Sequence, residues 1–522
     1  MSYTAPPHLT QNWRVKKPAA TGRRGIVVSQ ARDAALAGVA TLDAGGNAID
    51  AAIATALALC AVEPWNSGLG AIGFAVVHRA GEARADLVDF GPRAPAGLDP
   101  ARFKLTGRMK QDLFAWPEIE GDTNIHGPLS FAIPSSVAGF AHMHGHWGKL
   151  PLSAIMAPAI ALARRGLPAT WFTTLKVANA AAILRRYPES ARIYLPGDLP
   201  PLAPYQGTPG FIPLGQLPDT LERLSQVGLR DLYEGDVAAA IAQDCREMDA
   251  LLGADDLRRC EATVRPAEQL AWRGRTLQHA GGLTAGPTLA RTLALLGETW
   301  PATPDAAWFA QLAQALRTAY AERLSGLGDA EPRAAESCTT HLTVCDEAGT
   351  MVAMTTTLLS SMGSRVVLPG TGILMNNGVM WFDPRPGQAN SMAPGKRPLT
   401  NMCPVILRDG DRPVLAAGAS GGRRILAAVT QMLAFTAGFG MAPAVAAQHP
   451  RIDVSGPEDA TADARFAPDI LDALRADAPL EVVEHSVLPV NFACPNLILD
   501  EGGIRTGVSD VMTPGSAAVA QA

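Results

Sequence analysis

The chain has 522 residues, 48% hydrophobic and 18% charged, which is enough to bury a large core and excludes a disordered polypeptide. A net charge of −5 with no block of like charge excludes the electrostatic footprint of a nucleic-acid binder or of a protein held on an anionic membrane, so the expected partners are small molecules. Seven cysteines, an odd number without CxxC spacing, argue against a disulfide framework and a structural zinc site. With residues 1–11 lacking the apolar run of a secretory signal, they predict a cytoplasmic protein, with no metal or cofactor implied.

Residues 25–29 read as a strand, and 31–44 as a helix with Leu36, Val39 and Ala40 along one face and Gly45-Gly46 as its stop. A second helix is expected from Ala48. Its apolar stretch, 51–62, lies between Asp50 and Glu63 and is far shorter than the roughly 20 residues that span a bilayer, so it reads as buried in the protein. Residues 63–73 form a glycine-rich bend and 74–78 a strand. Helical patterns punctuated by Pro151, Pro158, Gly166 and Pro168 fill 137–182, and others fill 217–257. Short strands at 339–345, 351–358, 405–408 and 414–417 then make the last third sheet-rich. The polar segment 331–338, with Pro332, looks exposed and is the best candidate for a chain cut.

Thr339 heads the strand 339–345. If the bond before it is cut, its hydroxyl and its new α-amine share one residue, and an amine titrating near neutrality can take the hydroxyl proton without a separate histidine. Residues 339, 341 and 343 share one strand face, and Asp346-Glu347-Ala348-Gly349 can turn the chain into a return strand carrying Thr355, Thr356 and Thr357. Threonine is also simply a good strand former, so the hairpin alone reads as structural.

Its company is more specific. Downstream lie Gly370-Thr371-Gly372-Ile373-Leu374-Met375-Asn376-Asn377, then Pro394-Gly395-Lys396-Arg397-Pro398-Leu399-Thr400-Asn401-Met402, then Gly418-Ala419-Ser420-Gly421-Gly422-Arg423-Arg424-Ile425. Upstream lie Gly45 to Ala52, Glu63-Pro64 with Ser67-Gly68, Pro134 to Gly139, Ala157 to Ile160 and Tyr320-Ala321-Glu322-Arg323. In this order the residues resemble the γ-glutamyltranspeptidase family of N-terminal-nucleophile hydrolases over most of 25–515, with Thr339-Thr340-His341 at the self-cleavage point.

The resemblance implies a four-layer αββα sandwich of mixed α/β (α+β) class. It would be built jointly by a helix-rich large chain, 1–338, and a sheet-rich small chain, 339–522, forming a heterodimer after cleavage between Cys338 and Thr339. It implies Thr339 as nucleophile, Thr357 as the threonine that orients it, and Gly421 and Gly422 as the backbone donors of an oxyanion hole. A glycine lets the backbone approach an oxyanion without a Cβ in the way. Substrate-binding candidates are Arg93, Asn377, Thr400 and Asn401.

Departures fall on substrate-reading positions. The family arginine that follows Asp-Phe is displaced in Asp89-Phe90-Gly91-Pro92-Arg93. The positions that hold an α-ammonium in the family's transpeptidases carry Gly378, Trp381 and Leu359. A buried cation without acceptors is costly, so a γ-glutamyl head group is poorly catered for. The stretch 381–398 is too short for a long lid, implying a more open site, as in the cytoplasmic oxamate amidohydrolases, which this chain resembles more than the periplasmic transpeptidases. The expected activity is therefore hydrolysis of a small carboxylate-bearing amide, oxamate first, with γ-glutamyl compounds such as glutathione as the alternative.

Gly68-Leu69-Gly70-Ala71-Ile72-Gly73 satisfies GxGxxG, but a helix precedes and a strand follows, the reverse of a dinucleotide fingerprint. His142, His144 and His146 invite a metal reading, yet only 142 and 146 share a helix face, so solvated or capping histidines are expected. A catalytically dead binding protein is the remaining class, and it predicts an uncut chain.

Overall fold

The computed structural model describes residues 15–109, 116–327, 338–455, 459–484 and 491–522. Fourteen strands form two seven-stranded sheets: β1 (Ala20–Gly22), β2 (Ile26–Ser29), β3 (Ile72–His78), β4 (Asp86–Phe90), β5 (Thr263–Pro266), β6 (Glu268–Trp272), β7 (Arg275–His279), β8 (Cys338–Cys345), β9 (Met351–Leu359), β10 (Val405–Asp409), β11 (Arg412–Ser420), β12 (Cys494–Glu501), β13 (Ile504–Ser509) and β14 (Ala517–Ala520). One sheet runs β14-β2-β8-β9-β3-β4-β5 and the other β1-β13-β12-β11-β10-β7-β6, and neighbours in both are antiparallel.

Alternation of side chains decides what each face meets. From the first sheet, Ile26, Val28, Phe74, Val76, Met351 and Ala353 pack inward against Ile406, Ala416 and Ile498 of the second. The opposite faces are covered by helices. Helices α1 (Arg32–Asp43), α2 (Ala48–Val62), α3 (Ser136–Trp147) and α4 (Leu152–Arg165) share a core with Leu342, Val344, Val352 and Met354 of the first sheet. Helices α5 (Gly286–Leu296), α6 (Ala306–Leu327) and α7 (Ile425–Leu433) share one with Val405, Leu407, Leu415 and Ala417 of the second. The architecture is thus the αββα sandwich of mixed helix and antiparallel sheet.

Helix α2 sets the position of the site. Asn47 caps it, accepting from the N–H groups of Ile49 and Asp50, while Asp50 accepts from Asn47 N–H; such a box contributes about 1 kcal/mol. Asp346, in the turn after β8, accepts from Ala48 N–H at 2.9 Å and from Thr350 N–H at 2.9 Å, fastening the helix start to the foot of the hairpin. From Ala48 to Glu63 the helix climbs about 22 Å, close to the roughly 20 Å covered by the strand from Asp346 back to Thr340. The end of α2 therefore delivers Glu63 to the head of β8.

Several expectations from sequence are corrected here. On α1, Val39 is buried but Leu36 and Ala40 are exposed, and the buried face is made of Ala34, Ala35, Ala37 and Gly38. The reason is close packing: a Cβ on Gly38 would lie 2.3 Å from Thr55 Oγ1 of α2. The first two thirds hold more strands than expected: β3 and β7 pair with strands of the last third, while β4, β5 and β6 extend the sheets beside them. The strand expected at 74–78 begins at Ile72, and that expected at 414–417 runs from Arg412 to Ser420. Of the candidate cut segment 331–338, residues 331–337 lie outside the described residues. Gly68 to Gly73 joins α2 to β3, so the GxGxxG stretch has a helix before it and a strand after it. His144 Nε2 meets Leu150 O at 2.9 Å beyond the end of α3, and the rings of His142 and His146 stack at 4.0 Å. Among the described residues no cluster of metal-ligating side chains occurs, and no helix is long and apolar enough to cross a membrane.

Candidate active site

β8 pairs with β9 in the register Thr340↔Thr356, His341↔Thr355 and Thr343↔Ala353, but Cys338 pairs with Leu359, so the register slips by one residue at Thr339. Such a bulge bends the strand and re-aims a side chain. Leu359 takes φ +83°, a conformation that costs a branched residue of order 1–3 kcal/mol, directly across from Cys338. This geometry turns Leu359 N–H onto Thr357 Oγ1 at 2.8 Å, and Thr339 Oγ1 donates to the same oxygen at 3.2 Å. Thr339 is 4% exposed and Thr357 is fully buried, so in the uncut chain the hydroxyl pair lies inside the sandwich.

Residues on the other face of β8 look toward α2. Thr340 Oγ1 donates to Glu63 at 2.8 Å, and the second Glu63 oxygen accepts from Asn66 Nδ2 at 2.7 Å. Burial pushes the Glu63 carboxyl up to about 7, outweighing those two hydrogen bonds and the attraction of Lys176. Asn66 also donates to Gln30, whose own amide donates to Ser420. A polar chain thus runs from α2 across the end of β2 to the end of β11.

β11 crosses β8 at His341. Gly418 lies so close that a Cβ there would be 2.2 Å from the imidazole, and Asn496 of β12 donates to His341 O. His341 Nδ1 meets Thr355 Oγ1 at 2.8 Å, and burial pulls its pKa down to about 3, which leaves a neutral and weakly basic ring. Three residues beyond Gly418, Gly421 and Gly422 take φ +135° and +60° in succession before α7. A Cβ on Gly421 would lie 2.7 Å from Ala493 Cα, so glycine is required there both by conformation and by space.

The remaining sequence candidates are held by partners outside the Thr339–Thr357 pair. Asn377 is fully buried: its Oδ1 accepts from Ser360 N–H at 3.1 Å, and its Nδ2 donates to Ile125 O and Ser360 Oγ at 2.7 and 2.9 Å. That anchors the 370–377 motif to the residue after Leu359. Thr400 Oγ1 donates to Leu283 O at 3.0 Å, its carbonyl accepts from Arg323, and Asn401 is half-buried beside it. Arg93 is exposed and donates to Gly395 O at 3.0 Å. Sequence reasoning missed the partner of Asp89: Arg397 grips that carboxylate through both terminal nitrogens, and its guanidinium lies where a Cβ on Gly91 would come within 2.6 Å. It also missed the role of Glu63, whose contact with Thr340 spans 277 positions.

A γ-glutamyltranspeptidase sequence profile matches residues 34–338 and 331–520, which together take in nearly the whole chain. The protein belongs to the γ-glutamyltranspeptidase family. Among curated relatives, the Acylase ACY 1 proenzyme of Pseudomonas sp. (strain V22) is 30% identical over 502 residues, with 87% of each chain covered. The glutathione hydrolase proenzyme of Bacillus subtilis (strain 168) is 26% identical over 487 residues, covering 83% of this chain and 81% of the relative. The crystal structure of cephalosporin acylase from Bacillus halodurans superposes with a TM-score of 0.83 at 23% identity, covering 99% of both chains, and carries the same fold.

The chain is therefore an enzyme of the N-terminal-nucleophile hydrolase and acyltransferase kind, and its family contains both acylases and glutathione hydrolases. Within that family, the three positions singled out as lacking an ammonium acceptor are apolar or bare. Gly378 abuts Ala132, where a Cβ would come within 2.6 Å, Trp381 is buried beside Met380 and Trp116, and Leu359 is buried at its turned backbone.

Proposed function

We propose that the protein is a self-processing amidohydrolase in which Thr339 is both the cleavage point and the nucleophile. Its Oγ1 attacks the carbonyl of Cys338 during maturation, the C–N bond breaks so that residues 1–338 pass to the oxygen as an ester and the nitrogen becomes the α-amine, and water hydrolyses the ester, giving chains 1–338 and 339–522 that stay together as a heterodimer. The freed α-amine then takes the hydroxyl proton when Thr339 attacks the substrate amide, and returns it to the leaving amine. Thr357 orients the nucleophile, and the backbone of Gly421 and Gly422 stabilises the tetrahedral oxyanion. Water releases the acid from the acyl-enzyme. The observation that carries the reading is the Thr339–Thr357 hydroxyl contact at a bulged strand head opposite a backbone-strained Leu359.

The substrate class is an amide whose acyl part ends in a carboxylate and carries no α-ammonium. Three positions support this, because the side chains at Gly378, Trp381 and Leu359 offer an ammonium group no oxygen acceptor. Arg93, Asn401 and the unshared face of Arg397 are the candidates for the carboxylate. Oxamate is the smallest member of the class. γ-Glutamyl compounds are the second reading, favoured by the glutathione hydrolases among the relatives. Free, buried cysteines at six described positions suit a reducing compartment such as the cytoplasm.

Two anilides that differ only in the α-ammonium separate the readings. Glutaryl anilide should be cleaved with the higher kcat/KM and γ-glutamyl anilide with the lower, while intact mass spectrometry finds a fragment beginning at Thr339. Thr339→Ala should remain full length and inactive. A γ-glutamyl preference would reverse the substrate order, and a processed, active Thr339→Ala protein would remove the mechanism altogether.

A further inference from the structure

A cavity of about 490 Å³ opens on the helical side of the first sheet, and neither Thr339, Thr357, Gly421 nor Gly422 lines it. Its volume lies in the range of small-molecule sites, which run from roughly 300 to 1,000 Å³. Glu63 and Trp65 form part of its wall, with Gln30, Pro168, Trp171 and Phe172.

Three features point to a ligand. Trp65 is 5% exposed, and its indole N–H has no acceptor among the described residues, a state that costs free energy unless something supplies one. Glu63 is 2% exposed, and among the described residues each of its oxygens receives one hydrogen bond, although a carboxylate has about four acceptor sites. The same cavity has an aromatic wall: Trp65 and Trp171 both meet Phe172 edge-on, with centroids at 5.8 and 5.5 Å. Asp33, also in the lining, is already paired with Arg165, which leaves Glu63 as the buried carboxylate facing the space.

We propose that this cavity is a second small-molecule site, for an aromatic compound that carries an amine and, next to it, a carbonyl. The amine donates to Glu63, the carbonyl accepts from Trp65 N–H, and the ring packs against Phe172 and Trp171. Aromatic amino-acid amides and peptides with an aromatic first residue have this chemistry. Because Glu63 also holds Thr340, the neighbour of Thr339, an occupant is linked by one side chain to the strand that bears the hydroxyl pair.

The test is calorimetric titration of the full chain carrying Thr339→Ala, so that no amide probe is turned over and the outcome does not depend on the activity proposed above. L-Phenylalaninamide should bind saturably, whereas phenethylamine, which lacks the carbonyl, and 3-phenylpropanamide, which lacks the amine, should each bind about tenfold more weakly. Trp65→Phe should weaken phenylalaninamide about tenfold and leave phenethylamine unchanged, which also reports that the variant is folded. Glu63→Gln should weaken both amines and spare 3-phenylpropanamide. Absence of saturable heat with phenylalaninamide at millimolar concentration, or binding indifferent to both substitutions, overturns the proposal.

Discussion

Glu63→Gln separates charge from hydrogen bonding at a carboxylate that touches the strand of Thr339. Burial raises Glu63 from 4.5 to about 7 in the fold, in spite of the hydrogen bonds from Thr340 and Asn66 and the attraction of Lys176. Between those two values the folded state binds the proton and the unfolded state does not. Stability from this group is therefore fully present below pH 4.5 and is lost as pH rises through 7. Each unit is worth about 1.4 kcal/mol, so a window of about 2.5 units amounts to about 3 kcal/mol. Glutamine keeps the shape: its oxygen can accept from Asn66 while its amide donates to the Thr340 hydroxyl, and nothing ionises. Guanidinium unfolding in the Thr339→Ala background follows one uninterrupted chain. The stability of Glu63→Gln relative to the parent should climb by about 3 kcal/mol between pH 4.5 and 8 and stay level beyond. Parallel curves across that range would show instead that solvent entering the cavity keeps Glu63 at its ordinary value.

Gly421→Ala forces a Cβ to 2.7 Å from Ala493 Cα at φ +135°, so the turn must shift, and kcat should fall by about 10²- to 10³-fold in steady-state assays while circular dichroism is retained. Thr357→Val removes the acceptor of both Thr339 Oγ1 and Leu359 N–H, leaving a buried N–H unpaired at about 1–3 kcal/mol; intact mass over time should show slow or absent cutting, and Thr357→Ser should restore it. Burial pulls His341 down to about 3, so its ring contributes no ionisation between pH 5 and 8, and the shape of the kcat/KM profile should be the same in His341→Asn as in the parent.

What sequence made legible was local. The hairpin follows from a turn at Asp346 to Gly349 and period-two alternation, which bring Thr339 and Thr357 to the same end and the same face, eighteen positions apart in the chain. Helix α2 was readable because an uninterrupted apolar run with a capping asparagine has few alternatives. Illegible were the features fixed by distant pairing. Nothing near 263–279 or 494–520 announces that these segments pair across the fold, since strand preference depends on neighbours that sequence does not display. Likewise, Arg397 reaches Asp89 across 308 positions and Glu63 reaches Thr340 across 277. The buried face of α1 was misjudged because α2 comes close enough at Gly38 to favour small residues, so Ala34, Ala35 and Ala37 turn inward and Leu36 outward.

The order of strands bears on what a cut before Thr339 can do to the molecule. In the first sheet, β8 and β9 lie between β2 on one side and β3, β4 and β5 on the other, and β14 closes the outer edge of β2. In the second, β10 to β13 lie between β7 and β1. Residues before and after position 338 thus interleave in both sheets, joined by the ladders β2–β8, β3–β9, β2–β14, β1–β13 and β7–β10. None of the five ladders includes Cys338 or Thr339, so a cut between them would break no rung of these ladders; it would free Cys338 from its place opposite Leu359, whose φ is +83°. Under the proposed mechanism, cleavage in such an architecture is a local chemical event: it creates an amine at Thr339 and requires no strand around Thr357, Gly421 and Gly422 to leave its sheet.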